Sequence, residues 1–182
     1  MRNPWSVGVV SVGVVLVIPD PVGPEVTRIR AALGDPRAEG MPAHITLLPP
    51  TDVDTERLDD LRAHLARVGQ GHAAMRISLA GTQTFRPVSD VVYLALGEGV
   101  QACHDLGRAV CRGPVPTPSP FPFHPHVTLA HDLQPTRLDA VQEEYATFTA
   151  EFCLSEMCLY RWEESGGWQV DSRHPLAGVL AS

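Results

Sequence analysis

The sequence contains no lysine, and its 14 basic residues are all arginine. Mechanisms that need a lysine nucleophile or a phosphate-loop lysine are therefore excluded, and so is an ATP-dependent ligase that forms a lysyl-nucleotide intermediate. Positive charge is scarce overall, because 21 acidic residues give a formal net charge of −7. This balance disfavours a protein that holds long nucleic acid mainly by releasing counterions, but it is compatible with binding one phosphate group.

Cysteines and long apolar segments are also few. No C-x-x-C pair occurs among the four cysteines, which predicts buried thiols in a reducing compartment: Cys103, Cys111, Cys153 and Cys158. The valine-rich stretch at residues 7–18 is too short to span a bilayer as a helix. We interpret it as a buried strand, with a signal peptide as the alternative, and expect a cytoplasmic protein without a membrane partner.

The remaining sequence alternates between strand-like and helix-like segments, with Pro49 and Pro50 expected to end the second strand. Helices are predicted at residues 24–33, 51–68, 100–112 and 135–146, and strands at 7–18, 42–48, 75–80, 91–96, 126–130, 147–162 and 168–172. This order favours an α+β fold of two similar lobes, each a small sheet backed by helices. We expect a single domain over residues 1–182, with interleaved lobes and approximate halves 1–86 and 87–182.

Two short motifs of matching chemistry are His44-Ile45-Thr46-Leu47 and His126-Val127-Thr128-Leu129. Because side chains alternate between the two faces of a strand, each histidine shares a face with the threonine two residues later. The apolar residues of each motif would point to the other face, into a core. The repetition predicts that each lobe supplies half of one site.

The pairing of two histidines suits acid–base chemistry at a phosphodiester. One imidazole can take a proton from the attacking oxygen while the other gives a proton to the leaving oxygen, since the ordinary pKa of histidine lies near neutrality. In-line displacement places those oxygens on opposite sides of phosphorus. The hydroxyls of Thr46 and Thr128 could donate to the non-bridging phosphate oxygens.

This arrangement resembles the 2H phosphoesterase superfamily, whose signature is two H-x-[ST]-x motifs, and within it the 2′-5′ RNA ligase-like branch. The resemblance implies that His44 and His126 are the catalytic acid and base and that Thr46 and Thr128 bind phosphate. It also implies a bilobal, pseudo-twofold α+β duplication with mainly antiparallel sheets and a cleft between the lobes. The implied reaction needs no metal and no cofactor.

The resemblance implies cleavage of a 2′,3′-cyclic or related cyclic phosphodiester, or reversible 2′-5′ RNA ligation and cleavage. His131 stands where ligase-like members often have Arg or Lys, and this favours a small nucleotide over polymeric RNA. A small nucleotide or an RNA-end phosphodiester is the expected partner, and the protein is expected to be a monomer. A catalytically silent nucleotide- or RNA-binding module is the alternative from another functional class.

Several further residues are candidates for contact with substrate or metal. Arg86 could assist phosphate binding, while Phe121 and Phe123 could stack on a base because they lie in an irregular, proline-rich loop before the second motif. That loop, residues 114–125, could be a substrate-facing wall or a plain linker between lobes. His124 and His126 could instead be metal ligands, an alternative that Pro125 disfavours because it disturbs the strand.

Overall fold

A computed structural model describes residues 8–35, 40–115 and 121–178. Residue 7 of the first predicted strand and residues 116–120 of the proline-rich loop lie outside these ranges. The helices are α1 (Val22–Ala32), α2 (Leu58–Gln70), α3 (Val100–Cys111) and α4 (Pro135–Glu144). The strands are β1 (Val9–Val17), β2 (His44–Asp54), β3 (Met75–Thr84), β4 (Val91–Leu96), β5 (His126–His131), β6 (Thr149–Leu154), β7 (Glu156–Glu163) and β8 (Gly167–Pro175).

All eight strands belong to one antiparallel sheet in the order β6-β3-β4-β5-β2-β1-β7-β8. The α+β class and the duplicated, mainly antiparallel architecture are therefore confirmed. The two small sheets expected for the lobes are halves of this sheet, joined where Ile45 of β2 pairs with Val127 of β5. The boundary near residue 86 that divides the chain into halves falls between β3 and β4, which pair with each other. The halves of the sheet therefore do not coincide with the halves of the chain.

The prediction that Pro49 and Pro50 end the second strand is wrong, because β2 continues to Asp54. Its partner β1 pairs Val12 with Thr51 and Val14 with Leu48, which leaves only one β1 residue opposite the two prolines. This bulge accommodates residues that cannot donate to the sheet. The segment predicted to begin a helix at residue 51 is consequently strand, and α2 starts at Leu58.

The long strand predicted over residues 147–162 is two strands, β6 and β7, separated only by Ser155. β6 is the first strand of the sheet and β7 is the seventh. The sheet must therefore curve far enough to bring its two ends together at Ser155. The backbone N–H of Leu176 donates to the carbonyl of Ser155 at this crossing, with a donor–acceptor distance of 2.8 Å.

The apolar residues of both motifs belong to the hydrophobic core on the convex side of the sheet. Ile45, Leu47, Val127 and Leu129 are at most 1% exposed and belong to the main hydrophobic cluster. Leucines from α2 and α3 complete this cluster, including Leu61, Leu65 and Leu106. Since the motif residues alternate between the faces of their strands, this packing leaves both histidines and both threonines on the opposite, concave face.

The cysteines only partly follow the prediction of buried thiols. All four are free, and Cys103 and Cys158 are buried, but Cys153 on β6 is exposed. Burial raises the pKa of the Cys103 thiol to about 12, so this side chain is neutral at physiological pH. Among the described residues, no helix is long and apolar enough to cross a membrane.

Candidate active site

The candidate site lies where β2 and β5 meet in the middle of the sheet. Ile45 and Val127 form an antiparallel pair, so the residues on either side of them are also cross-strand neighbours. His44 lies beside Thr128 and Thr46 lies beside His126, all on the concave face. The register thus relates the two motifs by a local twofold axis through the central pair.

The two histidines make the same backbone hydrogen bond. His44 Nδ1 lies 2.7 Å from the carbonyl oxygen of Pro42, and His126 Nδ1 lies 2.7 Å from that of His124. A carbonyl can only accept, so each Nδ1 carries the proton. In each neutral imidazole, Nε2 therefore presents a lone pair that can accept a proton, and the ring orientation is fixed by the strand itself.

Burial lowers the pKa of both histidines. The pKa of His44 falls from 6.5 to about 4, chiefly because burial disfavours the charged ring; the bond to Pro42 raises it, and the charges of Arg30 and His126 lower it further. Burial also lowers the pKa of His126, against the raising effect of its bond to the carbonyl of His124. Both rings are therefore predominantly neutral near pH 7 in the free protein.

A cavity of about 700 Å³ opens on the concave face. His44, Thr46 and Thr128 contribute to its lining, together with Arg30, Met41, Val91, His131, Trp162 and Trp168. Its size falls within the usual range for small-molecule sites, about 300–1,000 Å³. No Asp or Glu lines it among the residues that the structure describes, which makes it favourable for an anion in an otherwise acidic protein.

Arg30 supplies a buried positive charge at this cavity. Its side chain is only 5% exposed, and its Nε and Nη2 both lie 2.9 Å from Oδ2 of Asp35. The bond to Asp35 fixes the guanidinium, while its effect on the pKa of His44 shows that it acts at the first motif. Sequence reasoning missed Arg30, although its position four residues after buried Val26 places it on the apolar face of α1.

His131 also lines the cavity, although it lies an odd number of residues after His126 and regular strand alternation would place it on the opposite face. A bulge explains the difference: Thr128 pairs with Tyr93 and Ala130 with Val92, so Leu129 is an extra residue. The extra residue shifts the alternation by one position and returns His131 to the concave face. Its Nδ1 lies 3.5 Å from Oδ1 of Asp35, beside the Arg30 charge.

The rings of Phe85 and Tyr93 enclose His126. Their centroids lie 4.9 and 5.2 Å from that of its imidazole, and the two rings stack on each other at 4.3 Å. His124 contacts the same rings edge-on and is exposed. Within the described ranges, no group of three or more His, Cys, Asp or Glu side chains is arranged to hold a metal ion.

The other predicted substrate contacts lie elsewhere. Arg86 pairs with Asp139 of α4 at 2.7 Å and donates to Gln142 at 3.2 Å. Phe123 packs on α3, where its ring lies 5.3 Å from that of His104. Phe121 is 62% exposed, and none of these three candidates is among the described residues that line the cavity.

Sequence comparison matches residues 18–166 to a model of the 2′-5′ RNA ligase superfamily. A protein of Oceanobacillus iheyensis named "Putative phosphoesterase" is 30% identical over 100 residues, which are 55% of this chain and 58% of that protein. A protein of the same description from Shouchella clausii is 27% identical over 147 residues, 79% of this chain and 85% of its own length.

Solved structures share the fold over almost the whole chain. A crystal structure of Escherichia coli LigT complexed with 3′-AMP superposes with a TM-score of 0.67 and 20% identity, covering 93% of this chain and 99% of LigT. A crystal structure of a Thermus thermophilus protein has a TM-score of 0.63 and 20% identity, covering 92% and 98% of the two chains. The structural similarity to these proteins therefore covers both halves of the sheet and not only the strands that carry the two motifs.

Proposed function

Because the chain belongs to the 2′-5′ RNA ligase superfamily, the 2H-type phosphoesterases, we propose that it hydrolyses 2′,3′-cyclic or related cyclic nucleotide phosphodiesters without a metal ion. The match over residues 18–166 confirms the family and the enzyme class that the motifs predicted. The observation that supports the finer proposal is the pairing of Ile45 with Val127, which sets the two His-x-Thr motifs side by side. His44, Thr46 and Thr128 line one cavity, and His126 lies next to Thr46 but is not among the lining residues. LigT has been crystallised with 3′-AMP, a product-like nucleotide for this reaction.

The reaction would begin with one neutral imidazole accepting a proton from water through Nε2. The water oxygen attacks phosphorus, and the bond to the ribose 2′- or 3′-oxygen breaks on the opposite side. The second imidazole, protonated, donates its proton to that leaving oxygen. The product is a nucleoside monophosphate, and the two histidines exchange protonation states, so proton exchange with solvent resets the enzyme.

The surroundings of the two rings favour different roles. The pKa of His44 is lowered to about 4, and the neighbouring Arg30 charge opposes its protonation, which suits the general base. His126 is enclosed by Phe85 and Tyr93, and burial and the His124 ring, not Arg30, lower its pKa, which suits the general acid. A bound anionic phosphate would raise the pKa of both imidazoles and so populate the imidazolium of His126.

Charge stabilisation at the phosphate would come from three side chains. The hydroxyls of Thr46 and Thr128 share the concave face with the histidines and can donate to the two non-bridging oxygens. Arg30 adds a positive charge that is already fixed by Asp35 and therefore needs no rearrangement. This fixed set can stabilise the negative charge that a phosphodiester carries into the transition state.

The test is hydrolysis of 2′,3′-cyclic nucleotides in EDTA by wild type, His44→Ala and His126→Ala. Each substitution should lower kcat by about 10²–10⁴-fold, the usual contribution of a general acid or base. His72→Ala is the matched control, because His72 Nδ1 also lies 2.8 Å from a backbone carbonyl, that of Val68, yet the residue is outside the cavity lining. We expect its activity to match that of wild type.

Turnover that survives either motif substitution would contradict the paired acid–base proposal, and loss of wild-type activity in EDTA would contradict metal independence. A 2′-5′-linked dinucleotide, added as a second substrate, separates cyclic phosphodiesterase activity from reversible 2′-5′ ligation and cleavage. Tight nucleotide binding without turnover of either substrate would identify a silent binding module instead. Arg86, Phe121 and Phe123 remain predicted auxiliary contacts, and cytoplasmic location and a monomeric state remain predictions as well.

A further inference from the structure

Two tryptophans form one end of the cavity that contains His44 and the two threonines. Trp162 of β7 and Trp168 of β8 are cross-strand partners beside the turn that joins these strands. Their ring centroids lie 5.6 Å apart with an interplanar angle of 71°. Both line the cavity, and Trp162 is 47% exposed, so its ring surface is accessible to a ligand in the cavity.

The two tryptophans differ in how firmly they are held. Trp168 packs on a small apolar cluster on the concave face, made of Val15, Cys158 and Tyr160 with Val17 and Met41 beside it. Trp162 contacts Trp168 edge-on and lies next to Gly167, whose φ of +69° belongs to the turn. Trp168 is thus a fixed support, and Trp162 presents ring surface to the cavity.

We propose that Trp162, supported by Trp168, is the stacking platform for the nucleobase of the substrate, an inference that rests on the proposed function of the site. A phosphodiester held by Thr46 and Thr128 leaves the remainder of the nucleotide in the same cavity, which extends to the tryptophans. A flat heteroaromatic ring is the ligand group that indole surface binds best, since stacking needs only a π-face.

The same geometry predicts weak discrimination between bases. Selecting one base requires polar groups placed to hydrogen-bond to its edge. Four of the polar side chains among the described lining residues, Arg30, His44, Thr46 and Thr128, are assigned to the phosphate by the proposed function, and the fifth, His131, lies beside Asp35. Stacking without such contacts tolerates purines and pyrimidines alike, so the substrate class is nucleotides in general rather than one nucleotide.

Binding of adenosine 3′-monophosphate, measured by calorimetry, tests the platform without requiring turnover. Trp162→Ala should weaken binding about 5- to 100-fold, the effect of losing one stacked base, while Trp162→Phe should retain most of the affinity. Ribose 5-phosphate, which has no base, should bind Trp162→Ala and wild type equally. Val170→Ala is the matched control, because Val170 is an exposed apolar residue of β8 outside the cavity lining and should leave affinity unchanged. Phe121→Ala tests the competing site on the proline-rich loop.

Equal affinity of wild type and Trp162→Ala for adenosine 3′-monophosphate would overturn the platform, as would an equal loss for ribose 5-phosphate. A loss in Phe121→Ala rather than Trp162→Ala would move base stacking to the proline-rich loop and would also overturn it. The expected binding pattern without hydrolysis of cyclic nucleotides would support the platform and contradict the proposed function. Cytidine 3′-monophosphate binding within a few-fold of the adenosine compound would support the lack of base discrimination.

Discussion

The two motif histidines have the same backbone geometry but different surroundings. Both donate from Nδ1 to the carbonyl two residues earlier, so the local twofold axis makes them equivalent along the strand. Arg30 acts on His44, whereas Phe85 and Tyr93 enclose His126. The duplication therefore supplies two copies of a proton-transfer group, and residues outside the motifs make the copies different.

This difference predicts the pH dependence of kcat/KM. Both pKa values are lowered from 6.5, that of His44 to about 4, so the bell-shaped profile of the free enzyme should have its optimum below pH 6.5. Activity falls on the acid side as His44 takes up a proton and on the alkaline side as His126 loses one. The measurement is kcat/KM for a 2′,3′-cyclic nucleotide between pH 4 and 9.

The kcat profile provides the internal control. Bound anionic substrate stabilises both imidazolium forms, so the kcat optimum should lie at higher pH than the kcat/KM optimum. NMR titration of the two rings in the free protein gives their pKa values independently of turnover. A kcat/KM profile that rises monotonically over this range, or a His44 that titrates above 6.5, would contradict the assignment.

At the residue scale, the sequence was sufficient to predict which face of the sheet each motif residue lies on, but not which other residues line the cavity. His44, Thr46, His126 and Thr128 obey simple strand alternation, which the sequence shows directly. His131 does not, because the extra residue Leu129 depends on pairing with β4 and has no local signal. The edge-on pair Trp162 and Trp168 could have been found from their placement directly before and after a glycine-containing turn.

At the element scale, the correct predictions are those that depend on local periodicity. The strand at Val91–Leu96 and the helix starting at Val100 have the predicted starts, because their apolar spacing and flanking glycines are local features. Strand ends depend on neighbours instead: β2 continues through two prolines because it bulges there, with one β1 residue opposite both. Ser155 divides a continuous strand pattern because the two sides pair with different neighbours.

The irregular pairing of β3 with β4 between Leu79 and Thr82 gives an element-scale prediction at Gly81. Its φ is +69°, and an added Cβ would lie 2.2 Å from the carbonyl oxygen of Ala146. Gly81→Ala should therefore lower the free energy of unfolding by about 2–5 kcal/mol, since a backbone clash adds to the cost of positive φ. Urea denaturation monitored by circular dichroism measures this change.

Gly34→Ala separates the two contributions. Gly34 also has positive φ, +84°, but nothing lies within 4 Å of its added Cβ. This variant should lose only about 1–2 kcal/mol, the cost of the left-handed conformation for a residue with a side chain. Similar losses in the two variants would show that the approach of Ala146 to Gly81 does not constrain the fold.

At the scale of the whole molecule, the duplication in the sheet is not a duplication of consecutive chain halves. One half of the sheet contains β2, β1, β7 and β8, and the other contains β6, β3, β4 and β5. The sequence predicted two similar lobes from repeated element order, and it predicted interleaving, but the curvature of the sheet could not be foreseen. That curvature follows from β6 and β7 being joined through Ser155 alone.

This interleaving predicts that the chain unfolds as one cooperative unit. Separating the halves of the sheet requires breaking the Ile45–Val127 pair and the hydrogen bond from Leu176 to Ser155 together, while each half of the sheet holds strands from both 1–86 and 87–182. Differential scanning calorimetry should show one transition with equal calorimetric and van't Hoff enthalpies.

Fragments 1–86 and 87–182 should each lack a cooperative transition, because the cut separates β3 from β4 and β1 from β7. Two resolved transitions in the intact chain, or an independently folding fragment, would contradict the single-domain prediction and show that the halves are autonomous.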